Sequence, residues 1–370
     1  MSDSSTAPDP TSAPAAPAPS EVPGQAPDFS SVHTSNFPEL LRRLGISLVV
    51  STYQAGKLII LREREGTLNT HFCQFASPMG IAFDVRQRRL ALGTRSQVWD
   101  FRDHPSVSAK LTPPGICDAV FLPRTVQYTG EIRIHEIGWV DAGDGRGPEL
   151  WGVNTLFSCL CTFDGVHSFV PRWRPPFITK LAAEDRCHLN GLALEGGRPK
   201  LVTLLARTDA AGGWRAHKRD GGCVWDLDSN EPIVTGLSMP HSPRLHAGKI
   251  WCLESGTGAL CVVEDGKAVD VARVPGFTRG LSFSGAYAFV GLSQIRESNI
   301  FGGIPIAESS GKRECGVWVI DTRSGKTAAF LRFEGVVQEI FAVEVLPGLR
   351  HPEMVNEMGR VMDTSFVLPD

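Results

Sequence analysis

No run of about 18 or more apolar residues occurs, the length a membrane-spanning helix needs, so no membrane partner is expected. An excess of positive charge is also missing. The 37 Lys+Arg are outnumbered by 40 Asp+Glu, giving a net charge of -3. Nucleic-acid binding rests on neutralising phosphates with a basic surface, so no nucleic-acid partner is expected either. Cysteine shows no ligand or disulfide spacing. The nine are scattered, odd in number, mostly inside apolar runs, and form no C-x-x-C. Cys159 and Cys161 stand two apart on an expected strand and read as buried thiols on one sheet face. There is no G-x-S-x-G elbow, H-E-x-x-H pair or P-loop. Cys187 and His188 are sequence neighbours, but on a strand they point to opposite faces and make no catalytic pair.

The first 27 residues have no aromatic and hold seven Pro, six Ala and five Ser. Such a stretch buries too little apolar surface to offset its ordering entropy, so residues 1–35 are expected to be a disordered tail. It has neither the basic start nor the apolar run of a signal peptide, which predicts a cytoplasmic protein. The remainder is different. Hydrophobic residues are 42% and charged residues 21% of the chain, enough to build a core. One short helix is legible at 37–45, with Pro38 in its first turn, Leu40 and Leu44 four apart, and Gly45 at its end. After it, short runs of Val, Ile, Leu, Phe and Trp alternate with Gly, Asp, Asn and Pro turns through residue 346, with no long amphipathic helix between them.

A short pattern recurs in these runs: a polar or small residue, a Gly-centred apolar strand, a turn and a second apolar strand. It begins at Pro78-Met79-Gly80-Ile81, His135-Glu136-Ile137-Gly138, His188-Leu189-Asn190-Gly191 and Thr278-Arg279-Gly280-Leu281. Looser copies begin at His241-Ser242-Pro243-Arg244 and Gln338-Glu339-Ile340-Phe341. Six copies in the 343 residues after the first 27 make about 57 residues each, room for a four-stranded propeller blade of roughly 40–50 residues plus loops. The last copy has only its first strand. The missing three are supplied by 45–51, 56–62 and 66–75, closing the ring and removing exposed sheet edges. The expected fold is therefore an all-β, six-bladed β-propeller over 36–350, closed by N- and C-terminal strands, with a C-terminal tail at 351–370.

Aligned on the central residue of each copy, His135, His188 and His241 fall at one position, spaced by 53 and 53. Only 10 of 370 residues are His, one in 37, so three in succession is a signal. In a propeller the first strand of each blade lines the central channel, and equivalent positions converge on the axis. Three imidazoles there predict a divalent transition metal, with Fe or Cu favoured and Zn the third option. Three protein ligands leave positions open for water, O2 or substrate. Near them, Asn190 and Arg279 are candidates to bind a substrate carboxylate or amide. Glu339 is a candidate fourth ligand, or an acceptor fixing a ligand imidazole. Loops on the same face supply Tyr53, Arg95, Asn154, Glu254 and Arg296 as candidate substrate-binding residues. Two long loops, 207–221 and 293–315, are expected to cover the channel with Trp214, Arg215, Arg296, Phe301 and Ile304.

The strings Ser51-Thr52-Tyr53-Gln54-Ala55-Gly56-Lys57-Leu58, His188-Leu189-Asn190-Gly191, Met239-Pro240-His241-Ser242-Pro243-Arg244 and Leu253-Glu254-Ser255-Gly256-Thr257-Gly258 carry a resemblance. Over about 36–350 the chain resembles a family of conserved bacterial proteins of unknown function, some of them fused to tetratricopeptide repeats. That resemblance implies a cytoplasmic bacterial protein. More distantly the chain is similar to metal-bearing propellers. Carotenoid oxygenases use seven blades and four axial His. Gluconolactonase-like propellers use Glu, Asn and Asp. Streptogramin-lyase-like propellers use a channel His and Mg. The reading favoured here is an Fe- or Cu-dependent oxygenase or hydroxylase acting on a small molecule or a peptide. The alternatives are a metal-dependent hydrolase or lyase, and a non-catalytic propeller that binds a peptide or protein partner through its loop face.

Overall fold

The computed structural model describes residues 27–141, 143, 145, 147–294, 302–356 and 359–368. Residues 1–26 of the expected tail lie outside the described residues. Six antiparallel sheets form a six-bladed β-propeller. The inner strands, blade one to blade six, are Ala342–Pro347, Ile81–Asp84, Ile134–Val140, Leu189–Glu195, Pro240–His246 and Phe277–Ser284. Neighbouring inner strands pack against one another all the way round the ring.

Blade one joins the two ends of the fold. Ala342–Pro347 pairs with Ile46–Ser51, from Ile46 opposite Pro347 to Ser51 opposite Ala342, and Lys57–Arg64 and Thr67–Gln74 complete the sheet. This is the closure expected from the sequence: the two ends of the fold share one sheet, so the C-terminal strand is not left alone. The sheets also extend past both expected boundaries. Ser31–His33 adds a fifth strand to blade six against Lys326–Phe333. Pro352–Met354 adds a parallel fifth strand to blade two against Ala119–Tyr128.

The helix Phe37–Leu44 ends where Gly45 takes a left-handed φ of 65° and donates its N–H to Arg42 O. It buries Phe37, Leu40 and Leu41 against Ile46, Leu48, Ile59 and Leu61. Each such buried side chain contributes about 1.5–3 kcal/mol. All nine cysteines are free thiols, and all but Cys117 are buried. Burial pushes the Cys159 thiol up to about 12, an unreactive setting. Among the described residues no helix is long and apolar enough to cross a membrane.

Two inner-strand glycines permit the close approach of neighbouring blades. A Cβ on Gly80 of blade two would run into the His135 carbonyl of blade three. A Cβ on Gly191 of blade four would run into Thr203 Oγ1 and into Pro243 of blade five. Gly is needed there because a carbonyl at Gly80, and a proline ring and a threonine hydroxyl at Gly191, already occupy the space.

Candidate functional site

Strand pairing sets which side chains reach the axis. In blade three Ile134 pairs with Asn154, the last residue of the second strand, so His135 is one residue inward. In blade five Pro240 pairs with Glu254 and His241 is one residue inward. Leu189 pairs with Leu204 in blade four, and Phe277 with Ser293 in blade six, so Asn190 and Thr278 hold the equivalent positions. His188 thus stands two residues before the register that His135 and His241 share. It lies in the turn leading into blade four, at φ 50°. The regular spacing of 53 counts loop residues together with strand residues, and so it hides this offset. His188 still reaches the axis. Its ring lies 5.1 Å from that of His135 at an interplanar angle of 85°.

The three imidazoles are held by one nitrogen each. Nδ1 of His135 is 3.0 Å from Arg133 O and 2.7 Å from Thr155 Oγ1. Thr155 Oγ1 donates its own proton to Leu189 O at 2.6 Å, so toward His135 it can only accept. His241 repeats the arrangement, with Nδ1 2.9 Å from both Met239 O and Ser255 Oγ, while Ser255 Oγ donates to Thr278 O at 2.6 Å. Arg133 and Met239, each two residues before its histidine, are left-handed at φ 52° and 49°. That conformation costs a non-glycine residue about 1 kcal/mol or more, and it accompanies the return of the carbonyl to the ring. His188 uses a carboxylate instead, with Asp185 Oδ1 and Oδ2 at 3.0 and 3.1 Å from Nδ1. All three therefore carry a proton on Nδ1, and no described residue bonds Nε2.

Burial holds His135 and His241 well below the ordinary imidazole range, and the charges of Arg279 and His188 add to it. Both rings are neutral at physiological pH. Arg279 retains some accessible surface, yet the surrounding protein desolvates it and pushes its pKa down to about 10, against the pull of Glu339, Tyr53 and Glu136. Its guanidinium lies 3.5 Å over the Phe341 ring. Phe341 also lies 5.1 Å from His135 and 5.8 Å from Tyr53, joining the half-exposed tyrosine to the imidazoles. A second charged group accompanies this layer. Arg244 pairs with Glu136 at 2.5 Å and donates to Leu281 O, while Glu136 accepts Leu192 N–H at 2.7 Å. Burial, with Glu136 adding to it and Arg244 opposing, pushes the nearby Glu344 carboxyl up to about 7.

The other expected site residues divide. Asn190 is buried and its amide is taken up, Nδ2 donating to Pro240 O at 3.0 Å and Oδ1 accepting from Thr203 at 2.6 Å. Asn154 is buried, its Oδ1 accepting Phe157 N–H while its Nδ2 has no partner. Glu254 accepts Ser238 N–H and the Thr257 hydroxyl, each at 2.9 Å. Arg95 is exposed. Arg296 and Phe301 lie outside the described residues. Glu254, Cys261 and Asp270 form the only group of His, Cys, Asp or Glu among the described residues whose donor atoms all lie within 4.8 Å of one another. The three imidazoles are more widely set than that.

The long loops meet. Trp214 is buried with its ring 4.4 Å from His188 and its Nε1 without a partner. It packs with Ile304, Ile306, Phe277 and Met239 in one apolar cluster. Arg219 of one loop pairs with Glu308 of the other at 2.7 Å, and Ile306 N–H bonds Gly256 O at 2.7 Å. Phe341, Thr155, Ser255 and Asp185 hold or flank the three rings, and the repeat does not single them out. Thr155 and Ser255 share a strand-end position one past Asn154 and Glu254, and that was the available signal.

The chain belongs to the family described as a domain of unknown function (DUF4915), whose description matches residues 35–355. No curated protein matches it. A chain in the crystal structure of a nidogen/laminin complex is similar at a TM-score of 0.52 and 10% identity, covering 82% of this chain and 99% of that one. A gluconolactonase from Xanthomonas campestris is similar at a TM-score of 0.45 and 14% identity, over 87% of this chain and 89% of that one. A protein of unknown function from Bacteroides caccae is similar at 0.48 and 10%, over 81% and 98%. At these identities the likeness concerns fold.

Proposed function

We propose that the protein is a metal-dependent enzyme whose axial channel holds a divalent transition metal, Fe or Cu before Zn, on Nε2 of His135, His188 and His241. The observation that carries this reading is the common Nδ1 proton. Each imidazole spends Nδ1–H on a protein acceptor and so leaves Nε2 for a metal, and burial keeps His135 and His241 neutral, the state a metal ligand needs. The donor set suits Fe, Cu or Zn. Because the rings are more widely set than 4.8 Å, loading requires an inward shift of at least one of them. Opposing the reading is the positive field of Arg279, which Glu339 offsets in part.

Bound Fe or Cu would supply one-electron chemistry with dioxygen, which makes an oxygenase or hydroxylase the favoured class. The chain's own residues would do the rest. Arg279, fixed against Phe341, orients a substrate group beside the imidazoles. Trp214 and the joined loops keep water from the His188 side. Tyr53 stands at the entrance, 40% exposed. The test is elemental analysis of untagged protein from cells supplied with Fe, Cu and Zn. About one equivalent of metal, lost in His188→Ala, supports the reading. A wild-type protein that is metal-free and takes up none on titration leaves a binding propeller instead.

A further inference from the structure

Among the described residues Arg279 has no ion-pair partner within bonding distance; Glu339, Tyr53 and Glu136 act on its charge only from farther off. Its guanidinium carries five N–H donors. No described residue accepts a hydrogen bond from any of them, and no described carboxylate lies within ion-pairing distance; its guanidinium rests over the Phe341 ring at 3.5 Å. The nearby imidazoles of His135 and His241 are neutral and offer only lone pairs. A desolvated cation left in this state is costly, and proteins normally pair it. The other inward-reaching arginine shows the contrast, because Arg244 is fully engaged by Glu136, Leu281 O and Pro243 O.

We propose that Arg279 is the binding group for a small organic monocarboxylate, the substrate or an obligatory co-ligand of the channel, seated on the guanidinium edge with Phe341 behind it. This rests on the reading of the channel as a binding site and names what it takes. A carboxylate matches the planar fork of a guanidinium in a bidentate pair. One cation balances one negative charge, and Glu339 and Glu136 already favour its charged state from a distance. A phosphate dianion would add a second charge, and among the described residues the second inward-reaching arginine, Arg244, is committed to Glu136. The unpartnered, buried Nε1–H of Trp214 against His188 is a further donor in the same channel, available to a polar group elsewhere on the ligand.

The test is calorimetric titration of full-length protein with sodium benzoate and, separately, with inorganic phosphate, using wild type, Arg279→Gln and Arg279→Lys. Metal content is measured on every sample. The expected result is one benzoate site in wild type, weakened at least tenfold in Arg279→Gln and less in Arg279→Lys, with phosphate binding at least tenfold more weakly. The melting temperature of ligand-free Arg279→Gln should equal or exceed that of wild type, since a partly desolvated charge is removed; a purely structural arginine would lower it. Benzoate affinity unchanged by Arg279→Gln, or phosphate binding as tightly as benzoate, overturns the proposal. Metal-free protein that still binds benzoate through Arg279 sinks the metal reading alone, and metal-loaded protein that ignores benzoate sinks the carboxylate alone.

Discussion

The imidazoles of His135 and His188 meet edge to face at 5.1 Å although the two residues come from neighbouring blades and from different registers. His135 sits inside its strand, and His188 sits in the turn before one. What they share is a tethered Nδ1, and that tether is the first thing to test.

Ser255→Ala and Thr155→Val each remove one acceptor from a ligand imidazole while leaving the carbonyl. If the tethers set the tautomer for a metal, affinity should fall roughly 10- to 100-fold in each. Competition with a coloured chelator measures this. The fold should survive with a loss of about 1–2 kcal/mol, because each hydroxyl also bonds a carbonyl of the next blade. Unchanged affinity in both variants would mean the tethers serve stability only.

Stability should depend on pH in two opposing ways. His135 and His241 are lowered in the folded state from an ordinary value of 6.5, so the unfolded chain takes up their protons first. Their contribution is complete above 6.5 and is lost as pH falls below it. Glu344 is raised from 4.5 to about 7, so its contribution is complete below 4.5 and is lost as pH rises through 7. Melting curves between pH 4.5 and 8 should therefore lose their high-pH decline in Glu344→Gln and keep their low-pH decline.

Trp214→Ala should cost about 3–5 kcal/mol, because the indole is buried among residues of both long loops. Trp214→Phe should recover most of it. Limited proteolysis within 207–221 and 302–315 should accelerate in the alanine variant. Equal protease resistance in wild type and Trp214→Ala would show that the loops are held by other contacts.

Gly80→Ala should destabilise by about 1–3 kcal/mol, since the added methyl meets the His135 carbonyl. Because that carbonyl belongs to a candidate ligand residue, metal affinity should fall along with the denaturation midpoint. A midpoint unchanged from wild type would contradict the close packing of blades two and three.

The periodicity of apolar runs and Gly turns made the ring legible, because each blade repeats the same burial problem and solves it with the same residue types. Blade closure was legible for the same reason, since a lone inner strand at 342–347 needs three partners. The fifth strands at Ser31–His33 and Pro352–Met354 were not, because short strands with little apolar content carry no burial pattern. The fate of Asn190 was hidden as well. An amide at a strand start reads the same whether it faces a ligand or, as here, ties Thr203 to Pro240.

By itself the sequence determined that six similar strand units follow a Pro-rich tail, and that three histidines sit near the start of consecutive units. Local pattern suffices for that, because side-chain alternation and turn chemistry act over a few residues. Only the tertiary structure decided that His188 enters from a turn, that Thr155 and Ser255 hold the two other rings, and that Arg279 rests on Phe341 with no ion-pair partner among the described residues. Those relations join residues 14 or more positions apart or bridge two blades, and they depend on strand register and close backbone approach, which no local pattern encodes.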